Sequence, residues 1–300
     1  MRIALLLLGA LLAQDPGTRA TFSSRSDLVV LHVSVVDRHA GFVAGLPRDS
    51  FVVRENGRVQ PIAVFDQDDT PVTAGLIIDN SGSMVARRDA VIAAGLAFAK
   101  SSHPADELFT INFNERVWPG LPSGQPFTSD HAVLRDALGH SMARGQTALF
   151  DAMLTALRHL DRGGQPRKVL IVVSDGGDNA STARFPEVLD AALRRDVVIY
   201  TIGLADPTDR EAKPRLLKEL ASVTGGEAFF PRSNEEITPV LERIARDIRS
   251  SYTIGYAPPA EGKGADRQRK VDVDLTGREH RKFRVRSRSL YIPADDGRAR

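Results

Sequence analysis

Gly75-Leu76-Ile77-Ile78-Asp79-Asn80-Ser81-Gly82-Ser83-Met84 is a short apolar run that stops at a carboxylate and continues as a polar turn. Asp79, Ser81 and Ser83 bring oxygen-bearing side chains into that one turn. Asn80 and Gly82 are the residue types that tolerate the backbone angles such a turn needs. Oxygen donors alone, at the rigid end of a strand, suit a hard divalent cation: Mg²⁺ or Mn²⁺ ahead of Ca²⁺.

Outward from this stretch the chain alternates strand and helix. Thr73 to Ile78 reads as a strand, Val85 to Ser101 as a helix, and Leu108 to Phe113 as a second strand turned back by Asn114-Glu115 into Val117-Trp118. Helical spacing recurs in His131 to Met142, Ala148 to Leu160, Phe185 to Arg195, Leu216 to Val223 and Glu235 to Arg249. Lys168 to Val173 is apolar throughout, as a strand buried on both faces requires. Val197 to Ile202 and Ala228 to Phe230 complete the set. Strands regularly separated by helices predict a doubly wound, mostly parallel α/β sheet covered on both sides.

The flanks follow a different grammar. Leu28 to Val36 places Val29, Leu31, Val33 and Val35 on one side. Phe51 to Arg54 and Val59 to Phe65 flank Asn56-Gly57, a hairpin signal. Beyond Ser250, Tyr252, Ile254 and Tyr256 alternate, as do Val271, Val273 and Leu275, and Phe283 and Val285 against Arg284, Arg286 and Arg288. Neither flank has enough strands for a core of its own, so the two are expected to pair as a discontinuous β-sandwich. The organisation expected is a signal peptide and lead-in over 1–20, a β segment over 21–70, the α/β domain over 71–249, a second β segment over 250–293 that pairs with the first, and a tail over 294–300. The Arg284, Arg286 and Arg288 row is expected on a wet strand face and Asp66 to Asp69 at a solvated junction, while Asp178 and Asn179 read either as rim residues of a site or, the preferred reading, as caps of the helix that follows them.

Composition narrows the class. A formal net charge of +2 on 300 residues gives no ground for nucleic-acid binding. Cysteine is absent, which excludes disulfides, thiolate metal sites and an N-terminal lipidated cysteine. Met1 to Ala13 has one basic residue followed by an apolar stretch too short to span a bilayer. It reads as a secretory signal, predicting a periplasmic or extracellular protein with no membrane span. The seven histidines show no ligand spacing.

In a parallel sheet, ligands gather outside the carboxyl ends of the strands. Val173-Ser174-Asp175-Gly176-Gly177-Asp178 brings Asp175 to the same edge as Asp79, and Gly145-Gln146-Thr147 offers Thr147 from a loop. The candidate cation donors are therefore Asp79, Ser81, Ser83, Thr147 and Asp175, with Asn80, Gly145, Gln146, Gly176 and Asp178 at the rim.

This set resembles the metal-ion-dependent adhesion site (MIDAS) of von Willebrand factor A domains, which runs Asp-x-Ser-x-Ser, then Thr, then Asp. All five positions match in order, and the resemblance covers about residues 70 to 248. The flanking β segments resemble those of secreted bacterial proteins with a von Willebrand factor A-related domain. The resemblance implies that Ser81, Ser83 and Thr147 approach the cation directly or through one water, while Asp79 and Asp175 act through water and by hydrogen-bonding the hydroxyls. It also implies a function: non-enzymatic, cation-dependent adhesion to a partner protein that presents an Asp or Glu to the open face of the metal. A structural cell-envelope module with a non-functional or purely structural metal site is the alternative. A Mg²⁺-dependent hydrolase is a minor one, because Ser81 stands where a dehalogenase-type phosphotransferase needs its second Asp.

Overall fold

The computed structural model describes residues 28–139, 143–204, 213–259 and 268–293. The expected signal, lead-in and tail, with part of the loop after Pro258, lie outside them. In chain order the elements are β1 (Val29–Val36), β2 (Phe51–Glu55), β3 (Arg58–Gln60), β4 (Ile62–Asp66), β5 (Val72–Asp79), α1 (Arg88–Lys100), β6 (Glu107–Phe113) and β7 (Val117–Pro119). Then come α2 (His131–Gly139), α3 (Leu149–Leu160), β8 (Arg167–Ser174), α4 (Phe185–Leu193), β9 (Val197–Gly203), α5 (Pro214–Thr224), β10 (Ala228–Phe229) and α6 (Ile237–Ser250). The chain closes with β11 (Tyr252–Tyr256), β12 (Arg269–Leu275), β13 (Arg284–Arg286) and β14 (Leu290–Tyr291).

The central six-stranded sheet has the order β10-β9-β8-β5-β6-β7. All its neighbours are parallel except β7, which turns back antiparallel on β6 at the edge. Every residue of β5 is buried, because helices cover both faces. Leu76 and Ile78 pack towards α1 and α6, among Val91, Phe98, Leu241 and Ile244. Ile77 faces the other way, with α3, α4 and α5 contributing Met153, Leu157, Val188 and Leu217. The chain runs outward from β5 to β6 and β7, then crosses back to lay down β8 on the other flank. The switch in direction falls between the carboxyl ends of β5 and β8, the place where open α/β sheets take their ligands.

The two flanks interleave in a pair of four-stranded sheets, β13-β1-β11-β4 and β14-β12-β2-β3. Strand β1 from the first flank pairs antiparallel with β11 and β13 from the second, and β2 pairs with β12. Leu31, Val33, Phe51, Val53, Tyr252, Ile254, Tyr256 and Val271 fill the space between the sheets. Asn56 and Gly57 both have positive φ, 48° and 80°, as the tight β2–β3 hairpin demands. The expected strand Val59 to Phe65 is split. Pro61 has no N–H to give a ladder, so β3 stays with β2 while β4 crosses to the other sheet beside β11.

Two further expectations change. The turn that carries Ser83, Gly82–Arg87, is a 3₁₀ helix, and α1 begins only at Arg88. The arginine row does not face water as a whole, because the outer face of β1 and β13 is covered by the α/β unit. Arg286 reaches Glu227 and Asp247, and Arg288, only 9% exposed, donates to the Leu193 and Arg195 carbonyls. Only Arg284 is exposed on its strand. No helix among the described residues is long and apolar enough to cross a membrane.

Candidate metal centre

Strand β5 ends in Asp79, and the backbone then folds back on its own side chain. Asp79 Oδ1 accepts the Ser81 N–H at 2.8 Å, and Oδ2 accepts the Ser174 hydroxyl at 2.6 Å. Ser174 is the last residue of β8, so the two central strands are joined at their carboxyl ends through this one carboxylate. Ser81 Oγ lies 3.1 Å from Ser83 Oγ, and Ser83 Oγ donates to Asp175 Oδ2. The other Asp175 oxygen accepts the Gly177 N–H at 2.9 Å. Four of the five expected donors are thus linked oxygen to oxygen or through one amide.

The fifth, Thr147, arrives on a separate segment, 143–148, which is tied to the same turn. Gly82 N–H donates to the Gly145 carbonyl at 3.1 Å, and Arg144 N–H to the Asn80 carbonyl at 2.9 Å. Gly145 has φ of 81°, which a side chain at this point would oppose. On its far side Thr147 is bonded to Asn179, with its N–H donating to Asn179 Oδ1 at 2.9 Å. Asn80 turns inward, donating from its side chain to the Ile78 carbonyl at 3.1 Å and to Asn112 Oδ1 at 3.3 Å. It therefore braces the turn from beneath and does not line the rim. Of the other residues expected at the rim, Gly145 and Gln146 are exposed, whereas Gly176 is buried under Leu217.

Asp178 and Asn179 do not cap the helix that follows them. Asp178 Oδ1 accepts the Leu149 N–H at 3.0 Å, at the start of the preceding helix α3, and Asn179 serves Thr147. Sequence spacing could not find this, because the capping groups lie about thirty residues further along the chain, beyond α3 and β8, not within one turn. Ser174 was also missed. Its signal was a hydroxyl at the end of an otherwise apolar strand.

Asp79 is 3% exposed and Asp175 7%, yet Ser83 is open to solvent. Burial pushes the Asp79 carboxyl up to about 6, with the Asp175 charge adding to it; the bonds from Ser174 and Ser81 pull the other way. This is a carboxylate whose negative charge the protein compensates incompletely. Among the described residues no group of three or more His, Cys, Asp or Glu is placed to hold a metal ion. The donor chemistry is two carboxylates supplemented by hydroxyls, a hard, oxygen-only set of the kind that suits a divalent cation.

The sequence profile of the von Willebrand factor type A domain matches residues 75–244, more than half of the chain. The chain belongs to this family. Among solved structures, a von Willebrand factor type A protein from Catenulispora acidiphila is similar in fold, with a TM-score of 0.53 at 14% identity over 92% of this chain and 76% of that one. The vWF domain of the type V pili tip protein Mfa5 from Porphyromonas gingivalis has a TM-score of 0.50 at 14% identity, covering 60% of this chain and 95% of its own. The PilB minor pilin from Streptococcus sanguinis has a TM-score of 0.50 at 12% identity, covering 64% of each chain. No curated protein matches the sequence. In the von Willebrand factor A frame, the edge carrying Asp79, Ser83 and Asp175 is the carboxyl edge of the parallel sheet, at the switch point between β5 and β8.

Proposed function

We propose that this von Willebrand factor A protein is a non-enzymatic binding module that captures an acidic residue of a partner protein through a divalent cation. Asp79, Ser81, Ser83, Thr147 and Asp175 would hold the ion, Mg²⁺ or Mn²⁺. The observation that carries the reading is the continuous linkage Ser174–Asp79–Ser81–Ser83–Asp175 at the open carboxyl edge of the sheet. When bound, the cation supplies a Lewis-acidic coordination position for an external carboxylate. The protein's own residues set the charge balance at that position. Asp79 is held by Ser174, Asp175 by Ser83 and the Gly177 amide, and neutral hydroxyls fill the rest. With Asp79 and Asp175 acting through water, the groups on the ion itself would be neutral hydroxyls, and a partner Asp or Glu would bring negative charge directly to it.

The Met1 to Ala13 stretch supports export, so the partner is sought in the periplasm or outside the cell. Residues 71–249 are taken as the cation-binding unit, and 21–70 with 250–293 as the β-sandwich that carries it. The test is a pull-down from cell-envelope extract with and without EDTA. Capture lost in EDTA and restored by Mg²⁺ or Mn²⁺ is expected. Capture indifferent to chelator would favour a purely structural module.

A further inference from the structure

The end of β8 and the segment after it touch each part of the centre with a different residue. Ser174 holds Asp79 and Asp175 holds Ser83. The polar residues beyond Gly177 turn to the Thr147 side. Asn179 accepts the Thr147 N–H on its side-chain carbonyl at 2.9 Å, and its own N–H donates back to the Thr147 carbonyl at 3.0 Å. The Ala180 N–H reaches the same carbonyl at 3.1 Å. Ser181 Oγ accepts the Phe150 and Asp151 N–H groups at 3.1 and 3.2 Å while donating to Asp178 at 2.6 Å. Helix α3 has no capping side chain of its own at Ala148, so its free N–H groups are met by this neighbouring loop. The two tasks are separable: Asn179 bears on Thr147, and Ser181 on the start of the helix.

We propose that Asn179 is a positioning residue that sets where Thr147 stands relative to Asp175, and that cation affinity depends on it. The proposal rests on the cation-binding reading above. Both backbone polar groups of Thr147 are engaged by Asn179 and Ala180, and the residues just before it, Gly145 and Gln146, are exposed. Asn179 is also four residues along the same loop from Asp175. One rigid loop therefore carries one donor and fixes the backbone of another. A small ion with near-octahedral demands tolerates little scatter among its donors, and outer partners that orient ligands typically change metal affinity by about 10- to 100-fold.

The test compares two variants of the full chain, with Mg²⁺ titrated by calorimetry and urea unfolding followed in EDTA. Asn179→Ala is expected to weaken Mg²⁺ binding by about tenfold or more and to speed amide exchange at Thr147. Ser181→Ala, which removes the helix cap and leaves the Thr147 pair, is expected to lower the unfolding midpoint yet keep Mg²⁺ affinity within about twofold of wild type. Unchanged affinity in Asn179→Ala, or equal losses in both variants, would overturn the positioning role. Wild type that takes up neither Mg²⁺ nor Mn²⁺ would overturn the cation reading itself, and the positioning role with it. If Asn179→Ala does not fold, Asn179→Asp keeps the acceptor for the Thr147 amide. Wild-type affinity or better is then expected, and a tenfold loss refutes the proposal.

Discussion

Asp79 has two roles that a single substitution can separate. It closes the turn by accepting the Ser81 amide, and it supplies charge to the proposed cation. A ligand that binds only the folded state raises the unfolding temperature by mass action. Mg²⁺ is therefore expected to raise the wild-type Tm and to leave that of Asp79→Ala unmoved, with far-UV circular dichroism nearly the same for both proteins. An equal Mg²⁺-induced shift in the two would remove Asp79 from the donor set. His32 presents a different problem. It is buried on β1, where neither ring nitrogen has a hydrogen-bond partner among the described residues, and Asp196 lies 3.8 Å away. Burial, then the charges of Arg167 and Arg288, holds its imidazole well below the usual histidine range. In the unfolded chain it takes up a proton below about pH 6.5, whereas in the native protein it stays neutral. The unfolded state thus binds more protons as pH falls through that value, and stability drops by up to about 1.4 kcal/mol per pH unit. Urea midpoints at about pH 7 and pH 5 are expected to differ less in His32→Leu than in wild type. Identical differences would show that His32 is not the group responsible.

Among the elements, α5 shows how a single backbone position serves two purposes. The helix ends at Gly225 with φ of 89°, a left-handed cap that frees the chain to turn into β10. A Cβ placed on Gly225 would also lie 2.5 Å from the Arg288 nitrogen, where the C-terminal segment crosses the helix end. That crossing is secured by the Ser289 N–H to the Val223 carbonyl at 3.1 Å and the Ile292 N–H to the Leu193 carbonyl at 3.0 Å. Gly225→Ala is accordingly expected to cost at least about 2 kcal/mol in urea unfolding, through strain plus lost docking. Faster amide exchange at Ser289 would accompany it. A loss below about 0.5 kcal/mol, within the range of an ordinary surface change, would show that the crossing can shift at no cost.

At the level of the whole molecule, the β-sandwich and the α/β unit are joined by buried charge. Arg286 donates to Asp247 and Glu227, and Asp247, 2% exposed, also accepts the Tyr200 hydroxyl at 2.8 Å. Arg167, at the start of β8, donates to the Ile248 carbonyl and the Ser251 hydroxyl where α6 passes into β11. Removing one member of a buried pair leaves the other charge uncompensated, at a cost of about 3–5 kcal/mol. Arg286→Ala should lose stability on that scale. Adding Asp247→Asn should recover part of it, because the stranded carboxylate then disappears. A double variant no more stable than Arg286→Ala would locate the loss in packing instead of charge.

Periodicity and local chemistry were enough to read the alternating strands and helices, the hairpin at Asn56-Gly57 and the crowding of oxygens in the Asp79–Ser83 turn. These depend on neighbours in the chain: side chains alternate along a strand, glycine accepts positive φ, and a motif keeps its spacing. What the sequence left open is set by residues distant in the chain. Pro61 divides one apolar run between two sheets, Arg286 and Arg288 are drawn away from water because another layer lies over them, and Asp178 and Ser181 cap a helix that precedes them. The gathering of Asp79, Ser174 and Asp175 depends on β8 lying beside β5, a juxtaposition made by the crossover and by the burial of both strands between two layers of helices. Local pattern can state that a residue is polar and where it sits along its element. Only the packed fold decides which polar group, tens of residues away, comes to within 3 Å of it.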